Sequence, residues 1–324
     1  MPLTIDLEFQ SRQRVIATAL IPCDGGVLLV DPGPTSCRAA LEAGLAQHGY
    51  QLPDVRALLV THIHLDHAGS AGTLAHAVPG LPVYVHTIGA RHLASPEKLL
   101  ASATRLYGDA MWRLWGEFRA VPPESLHALA GGETVSVGGR RLDVAYTPGH
   151  AVHHVSYLDA SEGIAYVGDT AGIAVRPGYV LAATPPPDID LERWQVSLDA
   201  IAAWRPERLF LTHFGEVHAP HAHLEAYHLA LARSATEVRR TLEEPGDEAD
   251  KIARWVEWVR RDVRQALTEE EATAVEAAAP FDQLWQGLAR YWRKRAERGD
   301  TALDDGARGR PPSDRPLTGD GQIG

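Results

Sequence analysis

Four side chains of types that bind metal ions fall within six residues, directly after an apolar segment. His62, His64, Asp66 and His67 follow Ala57–Val60 in the segment ALLVTHIHLDHAGS. In an extended segment alternate side chains point the same way, so His62 and His64 can bind one ion while Asp66 and His67 face a second ion beside it. Burying four such groups for packing alone would be costly, because each needs a polar partner. The cluster therefore predicts a metal site.

Three more segments consist of an apolar strand that runs into a ligand-type residue. LDVAYTPGH ends in His150, GIAYVGD ends in Asp169 and RLFLTH ends in His213. Loops at strand ends are where a rigid scaffold presents functional side chains. If these strands are adjacent, five histidines and two aspartates converge at one sheet edge, so one carboxylate can bridge two ions. Nitrogen and oxygen ligands without cysteine suit zinc, and also iron or manganese.

The order and spacing of these motifs closely resemble those of the metallo-β-lactamase superfamily. The run THIHLDH is followed by Gly-His at 150, Gly-Asp at 169 and Thr-His at 213, and Val-Asp-Pro-Gly stands upstream at residues 30–33. The resemblance extends from about Val15 to Phe214. It implies a mixed α/β (α+β) fold, the αββα sandwich of that superfamily, with the site at one edge and a C-terminal helical extension added in this chain.

The same resemblance implies a complete ligand set. It places three ligands on a first ion, three on a second and a shared carboxylate between them: His62, His64 and His150; Asp66, His67 and His213; and Asp169. Asp31 matches the superfamily's structural aspartate, which supports the metal loops from beneath.

This ligand set resembles that of the binuclear, glyoxalase-II-like and lactonase-like members, so we expect hydrolysis of a small ester, lactone, thioester or phosphoester. The expected cofactors are two divalent metal ions, with zinc preferred and iron or manganese as alternatives. They would hold a bridging hydroxide, because metal ions lower the pKa of water to near neutrality. Asp66 is the candidate catalytic residue, since it can orient this nucleophile or return a proton to the leaving group.

The substrate is less constrained than the metal site. Glyoxalase II enzymes read DHxGG and carry an Arg-x-x-Lys element in their C-terminal helices, whereas this chain continues His67-Ala68-Gly69-Ser70 and has no Arg-x-x-Lys after His213. Homoserine-lactone hydrolases carry a tyrosine just beyond the bridging aspartate, where this chain has Thr170. Neither resemblance therefore identifies the substrate.

Two other functional classes stay open. Persulfide dioxygenase-like proteins share HxHxDH and use one iron ion on the first three histidines, so a mononuclear iron oxidoreductase is the alternative. A binding or regulatory module would keep the site without catalysis, and the intact ligand set argues against it. The second-site ligands Asp66, His67 and His213 favour the hydrolase.

Aromatic side chains and one further histidine are candidates for the wall of a substrate pocket. They are Tyr107, Trp112, Trp115, His153, Tyr179 and Phe214. Aromatic walls and an acidic chain predict a preference for neutral or apolar acyl substrates over polyanions.

Composition excludes several classes of protein. The 324 residues carry a formal net charge of −11, which argues against a nucleic-acid partner or an anionic membrane, because both require a clustered positive field. The two cysteines are too few to cross-link so long a chain. No segment approaches the roughly 20 apolar residues of a membrane helix, and Asp6 and Glu8 stand where a signal peptide would be apolar. We therefore expect a cytoplasmic enzyme that acts on a small molecule.

Composition also divides the chain. Residues 1–217 alternate short apolar strands with helices, and we expect them to form the catalytic domain. One long helix is expected over Pro96–Glu117. Residues 218–298 are expected to be helical, with an apolar stripe that must cover the core as a cap or form a homodimer: Ile252, Trp255, Val256, Val259 and Val263 on one helix, Leu284, Leu288 and Trp292 on the next. Residues 299–324 lack apolar content and are expected to be a disordered tail.

Overall fold

The computed structural model describes residues 2–299, which form two six-stranded sheets with helices on their outer sides. The first sheet has the order β1-β2-β3-β4-β5-β6. Its strands are Leu3–Asp6 (β1), Ala17–Cys23 (β2), Gly26–Val30 (β3), Val55–Leu59 (β4), Val83–His86 (β5) and Leu126–Leu129 (β6). The pairs from β1 to β3 are antiparallel and those from β3 to β6 are parallel. The tail predicted for residues 299–324 lies outside the described residues, except for Gly299.

The second sheet has the order β12-β11-β10-β9-β8-β7. Its strands are Thr134–Val137 (β7), Arg140–Tyr146 (β8), Val155–Asp159 (β9), Ile164–Tyr166 (β10), Arg208–Leu211 (β11) and Gly215–Val217 (β12). Only β10 and β11 are parallel neighbours, and the remaining pairs are antiparallel. The strands that lead into the candidate ligands therefore come from both sheets. The first sheet supplies β4, and the second sheet supplies β8, β10 and β11.

Side-chain alternation explains why the two sheets stack. In β4 and just after it, Ala57 and Leu59 pack in a cluster with Tyr157 and Phe210 of the other sheet. Leu58 and Val60 point the opposite way, into the cluster shared with the helices. Because alternate residues of a strand face opposite sides of a sheet, each sheet buries one face on the other and one face under helices. The expected αββα sandwich is confirmed.

Seven helices accompany the two sheets within the described residues up to 217. They are Arg38–Gln47 (α1), Leu65–Ala68 (α2), Ala71–Ala77 (α3), Thr87–Ala94 (α4), Glu97–Tyr107 (α5), Met111–Trp115 (α6) and Leu191–Ala203 (α7). Four more follow: Pro220–Glu243 (α8), Glu248–Ala266 (α9), Glu269–Ala278 (α10) and Phe281–Glu297 (α11). Across residues 2–299, no helix has both the length and the apolar composition that crossing a membrane requires.

The prediction of a single helix over Pro96–Glu117 is wrong. The segment forms α5 and α6, separated by a short 3-10 turn over Gly108–Ala110. Gly108 and Gly116 both adopt positive φ, which ends each helix without the steric penalty that a side chain would incur. The apolar periodicity of the segment continues through the break, so periodicity alone did not indicate it.

The helical extension packs on the rest of the chain. Trp255, Val259 and Val263 of the predicted stripe are buried, as are Leu284, Leu288 and Trp292. The hydroxyl of Thr184 donates to the carbonyl of Leu284 at 3.1 Å, and the ring of Tyr227 lies 5.9 Å from that of Trp194. Most of the stripe is therefore covered within the chain, and Ile252 and Val256 are partly buried.

Candidate metal centre

Three histidine nitrogens converge at the edge of the sandwich. His62 Nε2 lies 2.9 Å from His64 Nδ1, and His150 Nε2 lies 3.2 Å and 3.0 Å from the same two atoms. A tetrahedral ion with nitrogen ligands at about 2.0–2.1 Å holds those ligands about 3.3 Å apart. The three lone pairs can therefore converge on one ion.

A second group lies beside the first. Asp66 Oδ2 is 3.3 Å from His213 Nε2 and 3.7 Å from His67 Nε2. His62, His67 and Asp169 form a further set of mutually close ligand atoms between the two groups. The structure thus brings together all seven residues that the sequence analysis selected.

Asp169 faces both groups with different oxygens. Its Oδ1 lies 3.3 Å from His67 Nε2 and 3.7 Å from His213 Nε2, on the side of the second group. Its Oδ2 lies 3.6 Å from His150 Nε2, on the side of the first group. A carboxylate in this position can contact one ion through each oxygen.

The second ring nitrogen of three histidines has a partner that orients the ring. His150 Nδ1 donates to the carbonyl of Ala183 at 2.8 Å, and His213 Nδ1 donates to the carbonyl of Val15 at 2.7 Å. A protonated Nδ1 leaves the lone pair on Nε2, which is the atom that faces the cluster. His67 Nδ1 lies 2.8 Å from Asp31 Oδ2, so the same holds for that ring.

Asp31 connects the metal loops from beneath. Its carboxylate accepts hydrogen bonds from the Thr61 backbone at 2.8 Å, from the Thr61 hydroxyl at 2.7 Å and from the Thr212 hydroxyl at 2.7 Å, besides its contact with His67. Thr61 and Thr212 each directly precede a candidate ligand. Asp31 is fully buried and thus ties together the loops that carry His62, His67 and His213.

Replacing Asp31 with Asn should weaken metal binding by about 10–100-fold, since an outer partner of this type sets the orientation and basicity of a ligand. The side-chain amide of the new asparagine has one oxygen, so it cannot accept hydrogen bonds from all of the donors that face Asp31. The amide also carries no charge. The Kd measured by competition with a chelating dye checks this. Asp159→Asn is the control, because Asp159 is equally buried but bonds to Ser161 and Arg140 instead. Equal metal affinity in the two variants would contradict the role of Asp31.

Burial and charge set the protonation of the cluster. Burial, with a contribution from neighbouring histidines, holds the pKa of His62 well below its usual range and lowers that of His64 to about 3. Burial raises the pKa of Asp66, but His67 and His213 outweigh it and lower the value to about 2. Burial lowers the pKa of His67, yet the carboxylates around it raise it overall. The carboxylates thus favour positive charge on the neighbouring histidines, and a bound metal cation would take over that role.

Two buried polar atoms in the cluster have no hydrogen-bond partner among the described residues. They are His67 Nε2 and Asp169 Oδ1, which lie 3.3 Å apart without hydrogen-bonding geometry. Buried polar atoms are almost always satisfied, because an unmet one costs about 1–3 kcal/mol. A nitrogen and an oxygen that have no hydrogen-bond partner fit a divalent metal ion. Each atom could bind the ion through a lone pair.

A glycine directly precedes two of the candidate ligands. Gly168, before Asp169, has a φ of +49°, and a Cβ there would lie 2.5 Å from Thr61 Oγ1 and 2.8 Å from His154 Nε2. Gly149, before His150, has a φ of +139°, and its Cβ would lie 2.4 Å from Trp194. Only glycine permits this conformation and this close approach, so both residues place the next side chain in the cluster.

Gly168→Ala should destabilise the metal-free protein by about 1–3 kcal/mol, because it adds steric overlap to a strained φ. Gly178→Ala is a matched control, since Gly178 also has a positive φ of +84° but no atom within 4 Å of its Cβ position. We expect about 1 kcal/mol for the control. Urea unfolding monitored by tryptophan fluorescence gives both values. A Gly168 variant no less stable than the control would show that the turn tolerates a side chain.

His154 is a buried neighbour of the cluster that the sequence analysis did not select. Its ring stacks on that of His62 at 4.9 Å, and its Nδ1 lies 3.0 Å from the Thr147 hydroxyl. Its Nε2 accepts from the backbone of Asp169 at 3.4 Å. His154 therefore supports the strand-end loops of both His62 and Asp169, and its only sequence signal is a position four residues after His150.

One family of known proteins matches the segment that carries these groups. The profile of the Metallo-beta-lactamase superfamily matches residues 16–213. The chain belongs to the metallo-β-lactamase superfamily. The matched segment runs from the start of β2 to the last of the seven clustered residues, so it contains the whole candidate centre.

Two curated relatives are each 31% identical in sequence to this superfamily member. A metallo-beta-lactamase fold-containing protein from Sulfurisphaera tokodaii is 31% identical over 163 residues, 49% of this chain and 60% of that protein. A hydroxyacylglutathione hydrolase from Acidiphilium cryptum is 31% identical over 224 residues, 68% of this chain and 74% of that protein. The chain spans between about half and three-quarters of the length of such relatives.

A solved structure extends the similarity beyond the matched domain. A metallo-beta-lactamase family protein from Thermus thermophilus superposes with a TM-score of 0.68 at 22% identity, covering 92% of this chain and 93% of that one. Coverage this high must include helices after His213. The helical extension is therefore part of the fold that this superfamily member shares with that structure.

A cavity of about 650 Å³ opens beside the candidate metal centre of this superfamily member. Its wall includes His64, Asp66 and Asp169 from the cluster and Ala277–Pro280, Gln283 and Leu284 from the helical extension. The hydroxyl of Tyr107 on α5 donates to Gln283 Oε1 at 3.4 Å, which joins the catalytic part and the extension across the cavity. Both parts of the chain therefore enclose the space next to the candidate ligands.

The structure places three of the six predicted wall residues on this cavity and three elsewhere. Tyr107, Trp115 and His153 line it. Trp112 is 73% exposed on α6 and lies outside the wall. Tyr179 and Phe214 also lie outside it, and Phe214 packs under the guanidinium of Arg14 instead. Aromatic character alone did not distinguish wall residues from residues that pack elsewhere.

Proposed function

We propose that this chain is a metal-dependent hydrolase that binds two divalent metal ions, with zinc preferred, and cleaves a small ester, lactone, thioester or phosphoester. The observation that carries the proposal is the position of Asp169, whose Oδ1 lies near His67 and His213 and whose Oδ2 lies near His150. Asp169 also lines a largely apolar cavity. The hydroxyacylglutathione hydrolases among the relatives support a hydrolytic reaction.

The residues fit two ions with a shared ligand. His62, His64 and His150 would hold one, Asp66, His67 and His213 the other, and Asp169 would contact both. When bound, the metals would supply Lewis acidity and lower the pKa of water. The protein's own contribution is to hold the ligands, five of which are buried, in place. Hydrogen bonds to Asp31, Val15 and Ala183 orient three of them.

Asp66 is the ligand best placed to move a proton. Its side chain is 19% exposed and lines the cavity, whereas the side chains of His67, His150 and His213 are almost completely buried. As a carboxylate it is anionic near neutral pH, so it could accept a proton from water and pass it to a leaving group in the cavity. The apolar wall would exclude bulk water from that exchange.

We also propose that residues 1–217 form the catalytic domain and that residues 218–298 form a cap over it. The cap supplies part of the cavity wall, including Ala277–Pro280, Gln283 and Leu284. Hydrogen bonds from Thr184 to Leu284 and between His223 and the carbonyl of Ala171 attach it to the domain.

Metal analysis followed by a substrate screen tests the proposed function. Protein stripped with a chelator and reloaded should hold two equivalents of zinc or manganese and should hydrolyse at least one of an aryl ester, a lactone, a thioester or a phosphotriester. One equivalent in the presence of excess metal would contradict the two-ion site. A single iron together with oxygen consumption on a persulfide would instead identify an oxidoreductase.

A further inference from the structure

Three cationic side chains line the cavity apart from the ligand groups. They are Arg12, which follows the short 3-10 turn Phe9–Ser11, Arg91 on α4 and Lys98 near the start of α5. Within residues 2–299 none of the three forms a hydrogen bond or an ion pair. Arginines elsewhere commonly have partners, as Arg233 does in Asp262 at 2.7 Å. These three charges are therefore free to meet a ligand.

Three of the four acidic residues of the same wall have other partners. Glu276 pairs with Arg260 at 2.6 Å, and Asp66 and Asp169 belong to the ligand cluster. Burial raises the pKa of Asp188, which also raises the pKa of His92 beside Arg91. The three cations therefore outnumber the one wall carboxylate, Asp188, that has no ion pair among the described residues.

Two of the cations lie on successive helices that border the cavity. Arg91 of α4 and Lys98 of α5 both line it. The pKa of His92, beside Arg91, is lowered by burial and then by both charges, whereas Asp188 raises it. A carboxylate or a phosphate can bind an arginine and a lysine together, because it offers several acceptor oxygens.

The wall of the cavity is otherwise mostly apolar. It includes Ile63, Leu65, Ile88, Leu99, Ala103, Leu106, Leu114 and Trp115 from the catalytic part of the chain. A bound molecule that reaches from the ligand cluster to Arg91 and Lys98 would therefore contact mainly hydrocarbon between its two ends.

We propose that the substrate has a cleavable carbonyl or phosphoryl group at one end, an apolar segment, and a carboxylate or phosphate that binds Arg91 and Lys98. This inference rests on the proposed function and names the substrate class for the same site. It differs from the preference for neutral substrates that the aromatic residues and the net charge predict. A bound group responds to the charges within a few ångströms, so the local cations outweigh the overall charge of −11.

Matched esters test the proposal on the metal-loaded, full-length protein. One series pairs 4-nitrophenyl esters of linear fatty acids of four to eight carbons with the same esters carrying a terminal carboxylate or phosphonate. A second series places the anion on the alcohol side. In at least one series the anionic ester should have a KM about three- to tenfold below that of its neutral counterpart, as expected for partly exposed charge pairs. The preferred anion distinguishes carboxylate from phosphate.

The double variant Arg91→Ala, Lys98→Ala should abolish this difference in KM between the anionic and the neutral ester. Arg105→Ala is the matched control, because Arg105 is an exposed cation on the same helix as Lys98 but does not line the cavity. The control should keep the full preference. Equal KM values for anionic and neutral esters in the wild type, or a preference that survives in the double variant, would overturn the proposal.

A binding measurement separates failure of this inference from failure of the proposed function. Calorimetric titration with adipate should give a lower Kd than titration with hexanoate, and the double variant should bind the two equally. If no ester is cleaved but adipate shows this difference, the anion site stands and the hydrolase proposal fails. If esters are cleaved and neither KM nor Kd depends on the terminal anion, the hydrolase proposal stands and the anion site fails.

Discussion

Replacing Asp169 with Ala should reduce the metal content from two ions per chain to one or none and lower kcat/KM by at least about 100-fold, the scale of losing a key electrostatic group. Asp169 presents Oδ1 to His67 and His213 and Oδ2 to His150, so its removal takes a ligand from both groups at once. It also leaves His67 without its nearest carboxylate in the cluster. Elemental analysis of dialysed protein and steady-state kinetics on the best substrate of the screen check both effects.

Asp169→Asn and Asp143→Ala make this test specific. The amide keeps one oxygen, so it should retain one ion more readily than Asp169→Ala does. Asp143 lies on β8, where it is exposed and accepts from Thr134, and its removal should change neither metal content nor activity. Near-normal metal content and activity in Asp169→Ala would mean that Asp169 does not bridge the two groups.

Ending the chain at Ala219 should yield insoluble or inactive protein, whereas ending it at Arg298 should leave folding and activity intact. The shorter chain loses α8 to α11, whose buried side chains include Trp255, Trp285 and Trp292. Burial of each large apolar side chain contributes about 1.5–3 kcal/mol, and their removal uncovers the surface around Trp194 and Thr184. Sedimentation of the lysate and activity of the soluble fraction distinguish the two chains.

A point substitution tests the cap when the short chain does not fold. Trp285 is fully buried and donates to the Thr241 hydroxyl at 2.8 Å, so Trp285→Ala should destabilise the protein by about 3–5 kcal/mol. Trp112→Ala is the control, because Trp112 is 73% exposed and should contribute little. Thermal unfolding gives both values. A soluble, fully active chain ending at Ala219 would show that the extension is not a cap.

The candidate ligands could be selected from the sequence because their signals are local. His62, His64, Asp66 and His67 lie within one loop, and His150, Asp169 and His213 each end an apolar strand. Strand periodicity and the position of a residue at a strand end depend on neighbours only a few residues away. The same reasoning predicted strands before His150, Asp169 and His213, which the structure has as β8, β10 and β11. The short edge strands β1, β6, β7 and β12 were missed, because three or four residues show no clear alternation.

Tertiary structure decided the features that depend on distant parts of the chain. The orientation of Asp169 between two groups depends on how β10 packs against β4 and β11, which no local pattern specifies. The cavity wall combines α4 to α6 with α10 and α11, so aromatic character could not show that Trp115 lines it and that Trp112 does not. The unpaired state of Arg91 and Lys98 depends on which acids lie nearby in space. Sequence spacing determines which side chains can bind a metal, whereas long-range packing determines which of the remaining residues a substrate meets.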